Sequence, residues 1–226
     1  DRATRFFDAA LALRPDSPGA LRSLFQMYFR QGAWEKASEL AVSLGPKVLT
    51  EGSAAERAEL HYHRGIVFMH SGDRAEAARS FISALDLNPR QLEPLQKFID
   101  VITQFENVFA AEEFIEELDA IYANIRDVPE ATALIHIARA RLLVLQNHQQ
   151  EALEKFRQAR QVHPHLLDAV LGEARILLNL QEEEEAFSTW NDFAATLAKA
   201  GPGELSQDQI VKAHITMARF LSESLG

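Results

Sequence analysis

The amino-acid sequence predicts an all-α fold built from antiparallel helix pairs. Between Ala58 and Arg90, apolar residues recur at helical spacing in two runs, which are separated by Ser71-Gly72-Asp73. A break of this kind between two helical patterns predicts a tight turn. The second run stops at Asn88-Pro89, because proline cannot continue a helix. In addition to these two runs and the turn between them, small residues lie where the two helices must touch.

Those small residues are Gly65 and Ala77, which allow the two backbones to approach closely. Phe81 fills the space beside them, and Ala84 leaves room for the next helix. Large apolar residues in this pattern predict helix packing rather than cofactor contacts. The expected core residues of this type are Phe68, Phe81, Leu143, Phe156 and Trp190.

The same pattern recurs along the chain. Its further copies are marked by Ala140, Leu143, Ala152, Phe156, Ala159 and Pro164; by Ala3, Phe7, Ala10 and Pro15; and, more weakly, by Tyr28, Gly32 and Ala37, by Ala111 and Ile115, and by Ala174, Leu177, Ala186 and Trp190. A repeated helix-turn-helix of about 34 residues resembles the tetratricopeptide repeat. His61 replaces that family's first-helix tryptophan, and Phe68 its tyrosine. The resemblance covers essentially all 226 residues and implies a right-handed superhelical solenoid.

The repeats alternate in length. Ala3, Ala37, Ala77, Ala111, Ala152 and Ala186 are separated by 34, 40, 34, 41 and 34 residues, which indicates duplication of a two-repeat unit. The expected organisation is one solenoid over residues 1–226, with the second helix of a truncated repeat at 1–17, repeats at 18–57, 58–91, 92–132, 133–166 and 167–205, and a terminal helix at 206–226. Because both terminal helices lack a partner in this frame, we expect a fragment of a longer protein.

Three inserts account for the longer repeats. They lie around 45–57, 120–132 and 198–205. Pro46 favours a loop in the first insert, and Gly201-Pro202-Gly203 favours a loop in the third. Ile121-Tyr122-Ala123 instead predicts extra helix in the middle insert.

Glycine and asparagine recur at the turn between paired helices. Gly32, Gly72 and Asn147 occupy this point, where a left-handed backbone conformation is commonly required. Glu106 and Gln181 occupy it in the two weaker repeats. We therefore expect those two turns to be less tightly defined.

Composition excludes several classes of function. The formal net charge is -10, and no basic stripe for phosphate contacts is present, so nucleic-acid binding is not expected. No apolar run approaches the roughly 20 residues that a membrane helix needs. The absence of cysteine excludes disulfides, thiolate zinc sites and cysteine nucleophiles, and it suits the cytoplasm and the bacterial periplasm equally.

Catalytic and metal-binding motifs are also missing. His61 and His63 point to different faces of one helix, and no third ligand follows His63 and His70 at suitable spacing. The run Glu182 to Glu185 reads as a solvated turn before a helix N-terminus. We expect no enzyme, no metal and no cofactor.

The resemblance implies a ligand-binding groove lined by the first helix of each pair. Carried over to this sequence, the groove residues are Arg22, Gln26, Arg30, Tyr62, His63, Ile66, Met69, His70, Lys97, Asp100, Arg141, Arg175, Asn179 and His214, with Phe29, Gln96, Gln104, Ile137, Val144, Leu171, Ile210 and Met217 on the same faces. The set is mixed with a basic bias, since it contains Arg22, Arg30, Lys97, Arg141 and Arg175, although the chain is acidic. The expected guest is therefore a peptide or protein segment with acidic character.

One subclass of the family grips a C-terminal carboxylate with five polar side chains. The corresponding residues here are Arg22, Gln26, His63, Glu93 and Lys97. Only two of the five are fixed cations, and Glu93 is an anion. No strong carboxylate clamp is expected.

The sequence therefore favours a non-catalytic protein-interaction scaffold or adaptor. Two alternatives stay open: a regulatory sensor domain that responds to a ligand, and an assembly scaffold in a bacterial envelope or polysaccharide-export machine. A homodimer through the apolar ends of the array is a further expectation.

Overall fold

The computed structural model describes residues 2–44, 46–105, 107–123, 125, 127–199 and 205–225. These residues form thirteen α-helices. The all-α fold predicted from the sequence is confirmed. The chain divides into two compact units, residues 1–125 (unit 1) and 126–226 (unit 2). One continuous array over residues 1–226 stays a prediction.

Unit 1 contains eight helices in its described part. They are α1 (Arg2–Leu13), α2 (Pro18–Arg30), α3 (Trp34–Ser43), α4 (Pro46–Thr50), α5 (Ala54–Ser71), α6 (Arg74–Leu87), α7 (Leu92–Ile102) and α8 (Val108–Tyr122). Contacting pairs are α2 with α3 and α5 with α6, while α7 and α8 both contact α6. Among the first helices of the pairs, α2 contacts α5 and α5 contacts α7.

Unit 2 contains five helices in its described part. They are α9 (Pro129–Leu145), α10 (Gln149–Val162), α11 (Leu167–Asn179), α12 (Glu183–Lys199) and α13 (Gln207–Leu225). Helix α9 pairs with α10 and α11 pairs with α12, and the two first helices α9 and α11 contact each other.

Four turns between paired helices share one backbone geometry. Gly32, Gly72 and Asn147 have positive φ angles of 65°, 81° and 61°, which confirms the predicted left-handed conformation. After Gly72, for example, the Asp73 amide donates to the Phe68 carbonyl, as in a Schellman motif.

The fourth of these turns corrects a prediction. Gln181 also has a positive φ, 64°. Its backbone N–H donates to the Leu178 carbonyl, and the backbone N–H of Glu182 donates to the Leu177 carbonyl. The expectation of a loosely defined turn at Gln181 is wrong, because the helix-end hydrogen bonds impose the left-handed conformation on a residue that does not favour it. Glu106 lies outside the described residues.

Close helix contacts explain why two helices contain glycine in their interiors. A Cβ atom on Gly65 would lie 2.4 Å from Cε1 of Phe81, and one on Gly172 would lie 2.2 Å from Cε1 of Phe156. Neither distance is sterically possible without movement of the ring. The predicted contact of Gly65 with Phe81 is confirmed, whereas the sequence pattern did not single out Gly172.

The predicted core residues are mostly buried. Phe68, Phe81, Phe156 and Trp190 have almost no exposed side-chain surface. Leu143 is only half-buried. The aromatic positions of the repeat therefore form the helix contacts, as expected.

The inserts differ from one another. Pro46–Thr50 forms the short helix α4, so the predicted loop at Pro46 is wrong; proline is well tolerated in the first turn of a helix. The predicted extra helix of the middle insert is present, since α8 continues to Tyr122. The Tyr122 hydroxyl donates to the Pro89 carbonyl at 2.6 Å, and burial raises the pKa of Tyr122 to about 12. Gly201-Pro202-Gly203 lies outside the described residues.

A buried carboxylate joins three helices of unit 2. Glu173 on α11 is 1% exposed and lies between Arg157 and Arg160 of α10, with N···O distances of 3.3 Å and 3.1 Å. Arg157 also pairs with Glu185 of α12 at 2.5 Å. Burial raises the pKa of Glu173, and the two arginines oppose that shift. The cluster holds α10, α11 and α12 together through charge-assisted hydrogen bonds.

Candidate functional site

The candidate site consists of two separate faces, one in each unit. The unit-1 face comprises the predicted groove residues of α2, α5 and α7: Arg22, Gln26, Arg30, Tyr62, His63, Ile66, Met69, His70, Lys97 and Asp100. The unit-2 face comprises those of α9, α11 and α13: Arg141, Arg175, Asn179 and His214.

Ring stacking organises the unit-1 face. The rings of Phe29 and His63 are stacked with centroids 4.1 Å apart, and those of Trp34 and His70 with centroids 4.0 Å apart. Phe29 also meets Trp34 edge-on at 5.8 Å. These contacts join α5 to α2 and α3. Both histidines therefore pack against the neighbouring helix pair as well as lying on the predicted face.

This packing disfavours the protonated form of His63. Burial lowers the pKa of His63, Glu59 opposes the shift, and Arg30 adds to it. A neutral imidazole offers a ring surface and one hydrogen-bond donor, but no fixed charge. The positive charge of the unit-1 face therefore comes from its arginines and Lys97.

Arg22 is already engaged by the protein. Its Nη2 donates to the carbonyl of Val48 at 2.9 Å and to the carbonyl of Glu51. Both acceptors belong to α4 or to the turn that follows it. Arg22 thus binds the end of a short helix, which leaves less of its guanidinium for an external ligand.

Polar side chains on α7 and just after it make local contacts, and Gln104 also accepts from Arg74 Nε of α6 at 3.5 Å. Lys97 Nζ lies 3.5 Å from Asp100 Oδ2, and both side chains are exposed. Gln104 donates to the Asp100 backbone carbonyl at 3.2 Å. An exposed pair of this kind contributes little energy, about 0.2–1 kcal/mol, so a ligand can displace it.

The other residues of the unit-1 face vary in exposure. Gln26, Tyr62, Ile66 and Met69 are half-buried, and Arg30 is exposed. These side chains give the face a mixed apolar and basic surface.

An ion pair connects the two first helices of unit 2. Arg141 Nη2 on α9 lies 3.9 Å from Asp168 Oδ2 on α11. Arg175 and Asn179 are exposed on α11. Arg175 has no ion pair within the part of unit 2 that the structure describes.

Apolar residues flank these cations, but one residue predicted to lie on the groove does not. Val144 on α9 is 44% exposed, and Leu171 on α11 is half-buried. Ile137 is completely buried, so its predicted place on the groove is wrong, because the side chain has no surface that a ligand could contact. On α13, His214 is exposed and Met217 packs against the core.

The sequence pattern did not predict the structural roles of Trp34 and Glu173. Trp34 stacks on His70, and the only signal for it was an aromatic residue directly after the Gly32 turn. Glu173 was also missed, although an acid between Val170 and Ala174 interrupts an apolar stripe. An acid at such a position predicts a buried ion pair whose cations cannot be located from spacing alone.

Neither a metal-binding cluster nor a membrane-spanning helix is present among the described residues. No group of three or more histidines or carboxylates there is arranged to bind a metal ion. None of the described helices is long and apolar enough to cross a membrane.

Comparisons with known proteins identify the fold. No family model matches the chain, and no curated protein matches it. Solved structures do match. MamA residues 41 to the end from Desulfovibrio magneticus RS-1 has a TM-score of 0.55 at 14% identity, with 81% of this chain and 97% of that chain covered.

Two further structures agree with this result. A tetratricopeptide repeat protein from Parabacteroides merdae has a TM-score of 0.55 at 16% identity, covering 96% of this chain and 79% of that one. Yeast Tom70 has a TM-score of 0.53 at 17% identity, covering 97% of this chain but only 43% of Tom70. The chain has the tetratricopeptide-type fold predicted from its sequence.

Proposed function

We propose that this tetratricopeptide-type chain is a non-catalytic protein-interaction scaffold, and that its unit-2 face binds a peptide segment carrying acidic and apolar side chains. The observation that carries the proposal is the exposed Arg175. It lies on a first helix of a chain with a net charge of -10, and it has no ion pair in the described part of unit 2.

Charge supports an acidic guest. Arg141 and Arg175 belong to neighbouring helices, and Asp168 only partly neutralises Arg141 across a distance of 3.9 Å. Guanidinium groups bind carboxylates in a bidentate geometry that lysine cannot reproduce. An acidic side chain of a guest would bind Arg175 directly and compete with Asp168 for Arg141.

Apolar contacts must supply much of the affinity. Exposed ion pairs contribute only about 0.2–1 kcal/mol each, whereas burying one large aliphatic side chain contributes about 1.5–3 kcal/mol. Val144 and Leu171 provide apolar surface beside the arginines. The fitting guest therefore combines at least one large apolar residue with a nearby aspartate or glutamate.

A random peptide library displayed on phage tests this proposal without a known partner. The whole chain is used as bait, and we expect the recovered peptides to be richer in acidic and large apolar residues than the starting library. The strongest peptide is then synthesised with a fluorescent label, and its affinity is measured by anisotropy. Arg175→Glu should weaken binding about tenfold, equivalent to about 1.4 kcal/mol.

Arg219→Glu is the matched control, because Arg219 is exposed on α13 of the same unit but does not lie among the groove residues. It makes the same change in net charge and should leave the affinity within about twofold. Recovery of neutral or basic peptides, or equal loss of affinity in both variants, would refute the proposal. Both variants must melt at the temperature of the unmodified chain.

A further inference from the structure

We infer that residues 46–52, which we call the strap, form an intramolecular cover over Arg22 that keeps this part of the unit-1 face closed to acidic ligands. The inference rests on the proposed function, because it concerns how a first-helix face of this scaffold is regulated. It concerns a different unit from the peptide site proposed above.

The strap lies against the first helices of unit 1. Its helix α4 contacts both α2 and α5, and Val48 is 2% exposed. From α2, Arg22 Nη2 donates to the carbonyls of Val48 and Glu51. The strap therefore occupies the guanidinium that the sequence predicts as the first cation of the groove.

The chemistry of this contact resembles that of a bound ligand. The last carbonyls of a helix have no partner within the helix and carry partial negative charge. The carbonyl oxygen of Val48 in α4 and that of Glu51 in the following turn can therefore take the place of the two oxygens of a carboxylate. A real carboxylate carries a full charge and forms stronger hydrogen bonds to guanidinium, so a ligand can displace the strap.

A single glycine permits the closed arrangement. Gly52 has a φ of 94°, and a Cβ atom there would lie 2.9 Å from Arg22 Nη1 and 2.9 Å from Glu56 Oε2. Both neighbouring atoms are at the ends of flexible side chains. A side chain at this position would therefore displace the Arg22 guanidinium from the strap carbonyls and shift the Glu56 carboxylate.

The downstream end of the strap is firmly anchored. Ser53 and Glu56 form a capping box at the start of α5, in which each side chain accepts a hydrogen bond from the other residue's backbone amide. The strap can therefore loosen while α5 keeps its N-terminus. Opening of the strap requires displacement only of α4 and of the turn at Gly52.

Gly52→Ala tests the closed state without any ligand. Arg22 should react faster with phenylglyoxal, and the amides of residues 46–52 should exchange faster with deuterium, each by roughly fivefold or more, because the strap opens locally. Gly72→Ala is the matched control. It places alanine at another positive φ, 81°, but with no atom within 4 Å of the added Cβ. Unchanged reactivity of Arg22 in Gly52→Ala would overturn the inference.

Ligand binding is then measured in the Arg175→Glu background, so that the unit-2 face contributes little. Adding Gly52→Ala should strengthen binding of the acidic phage-selected peptide about threefold or more, and adding Arg22→Gln as well should abolish that gain. If Arg22 becomes reactive but the peptide gains nothing, the regulatory role is wrong while the peptide site of unit 2 stands. If library selection yields no acidic peptide but Arg22 still becomes reactive, the proposed function fails and the strap remains.

Discussion

Units 1 and 2 use different chemistry where a first helix meets the preceding helix pair. In unit 1, His63 and His70 of α5 stack on aromatic rings of α2 and α3. In unit 2, the Glu173 carboxylate of α11 lies buried between Arg157 and Arg160 of α10. One repeat architecture thus accepts neutral ring stacking in one place and a buried ion cluster in another.

Both units nevertheless contain a close contact between a helical glycine and a phenylalanine ring. Gly65 of α5 packs against Phe81 of α6 within one helix pair, whereas Gly172 of α11 packs against Phe156 of α10 in the preceding pair. The polar groups around each contact then vary. They also give the two units opposite pH dependence, because burial disfavours the charged form of histidine and of glutamate alike.

The largest effect should come from the two phenylalanines that pack against glycine. Phe81→Ala and Phe156→Ala should each reduce the free energy of unfolding by about 3–5 kcal/mol, since each leaves a cavity beside a glycine. Urea unfolding followed by circular dichroism gives the size of the loss. Hydrogen exchange by mass spectrometry should locate it in unit 1 for Phe81 and in unit 2 for Phe156. An unchanged urea midpoint for either variant would contradict the repeat frame.

Removal of the buried carboxylate should affect unit 2 next most strongly. Glu173→Ala leaves two arginines without their acid, and we expect a loss of about 2–4 kcal/mol, since both arginines remain partly exposed. Glu185→Ala is the control within the same cluster. Glu185 is 52% exposed, and its ion pair among the described residues is with Arg157, so its loss should cost about 0.5 kcal/mol. Equal losses would mean that burial of Glu173 has no special energetic weight.

The pH dependence should differ in sign between the units. Burial lowers the pKa of His61 from 6.5 to about 4, and Arg64 and Arg57 add to that shift. As the pH falls, His61 therefore takes up a proton in the unfolded chain before it does so in the folded chain. Its contribution to the free energy of unfolding is complete above pH 6.5 and is lost as the pH falls toward 4. The raised pKa of Glu173 has the opposite consequence: its contribution is greatest below 4.5 and is lost as the pH rises through the folded-state pKa.

Urea midpoints of His61→Gln and Glu173→Gln measure these contributions, each as a difference from the unmodified chain at about pH 5 and about pH 7. His61→Gln should be more destabilising at about pH 7 than at about pH 5. Glu173→Gln should be less destabilising at about pH 7 than at about pH 5. Parallel curves for a variant and the unmodified chain would show that the residue does not titrate differently on folding.

The smallest effect should come from the turns. Gln181→Gly should stabilise unit 2 by about 0.5–1 kcal/mol, because glycine adopts a positive φ without steric cost. Asn147→Gly should gain less, because asparagine already tolerates this conformation. Melting temperatures measure both changes. A lower melting temperature for Gln181→Gly would mean that its side chain makes a stabilising contact in the fold.

Local sequence determined the helices, most turns and the glycine-aromatic contact of the first strong repeat. Helical periodicity, proline and glycine act through near neighbours in the chain, so their effects can be read without knowing what lies opposite. Gly72 and Asn147 illustrate this: the side chain itself permits the turn conformation. Candidate groove residues followed from the same register, although their role in binding stays a prediction.

Tertiary structure alone decided which groove residues are available. Arg22 meets carbonyls more than 25 residues away in the chain, and Glu173 meets arginines of another helix. Ile137 turned inward and Gln181 adopted a strained turn because their surroundings outweighed local preference. The physical reason is that burial, charge pairing and hydrogen-bond competition depend on the partner across a helix contact, and residue spacing does not specify that partner.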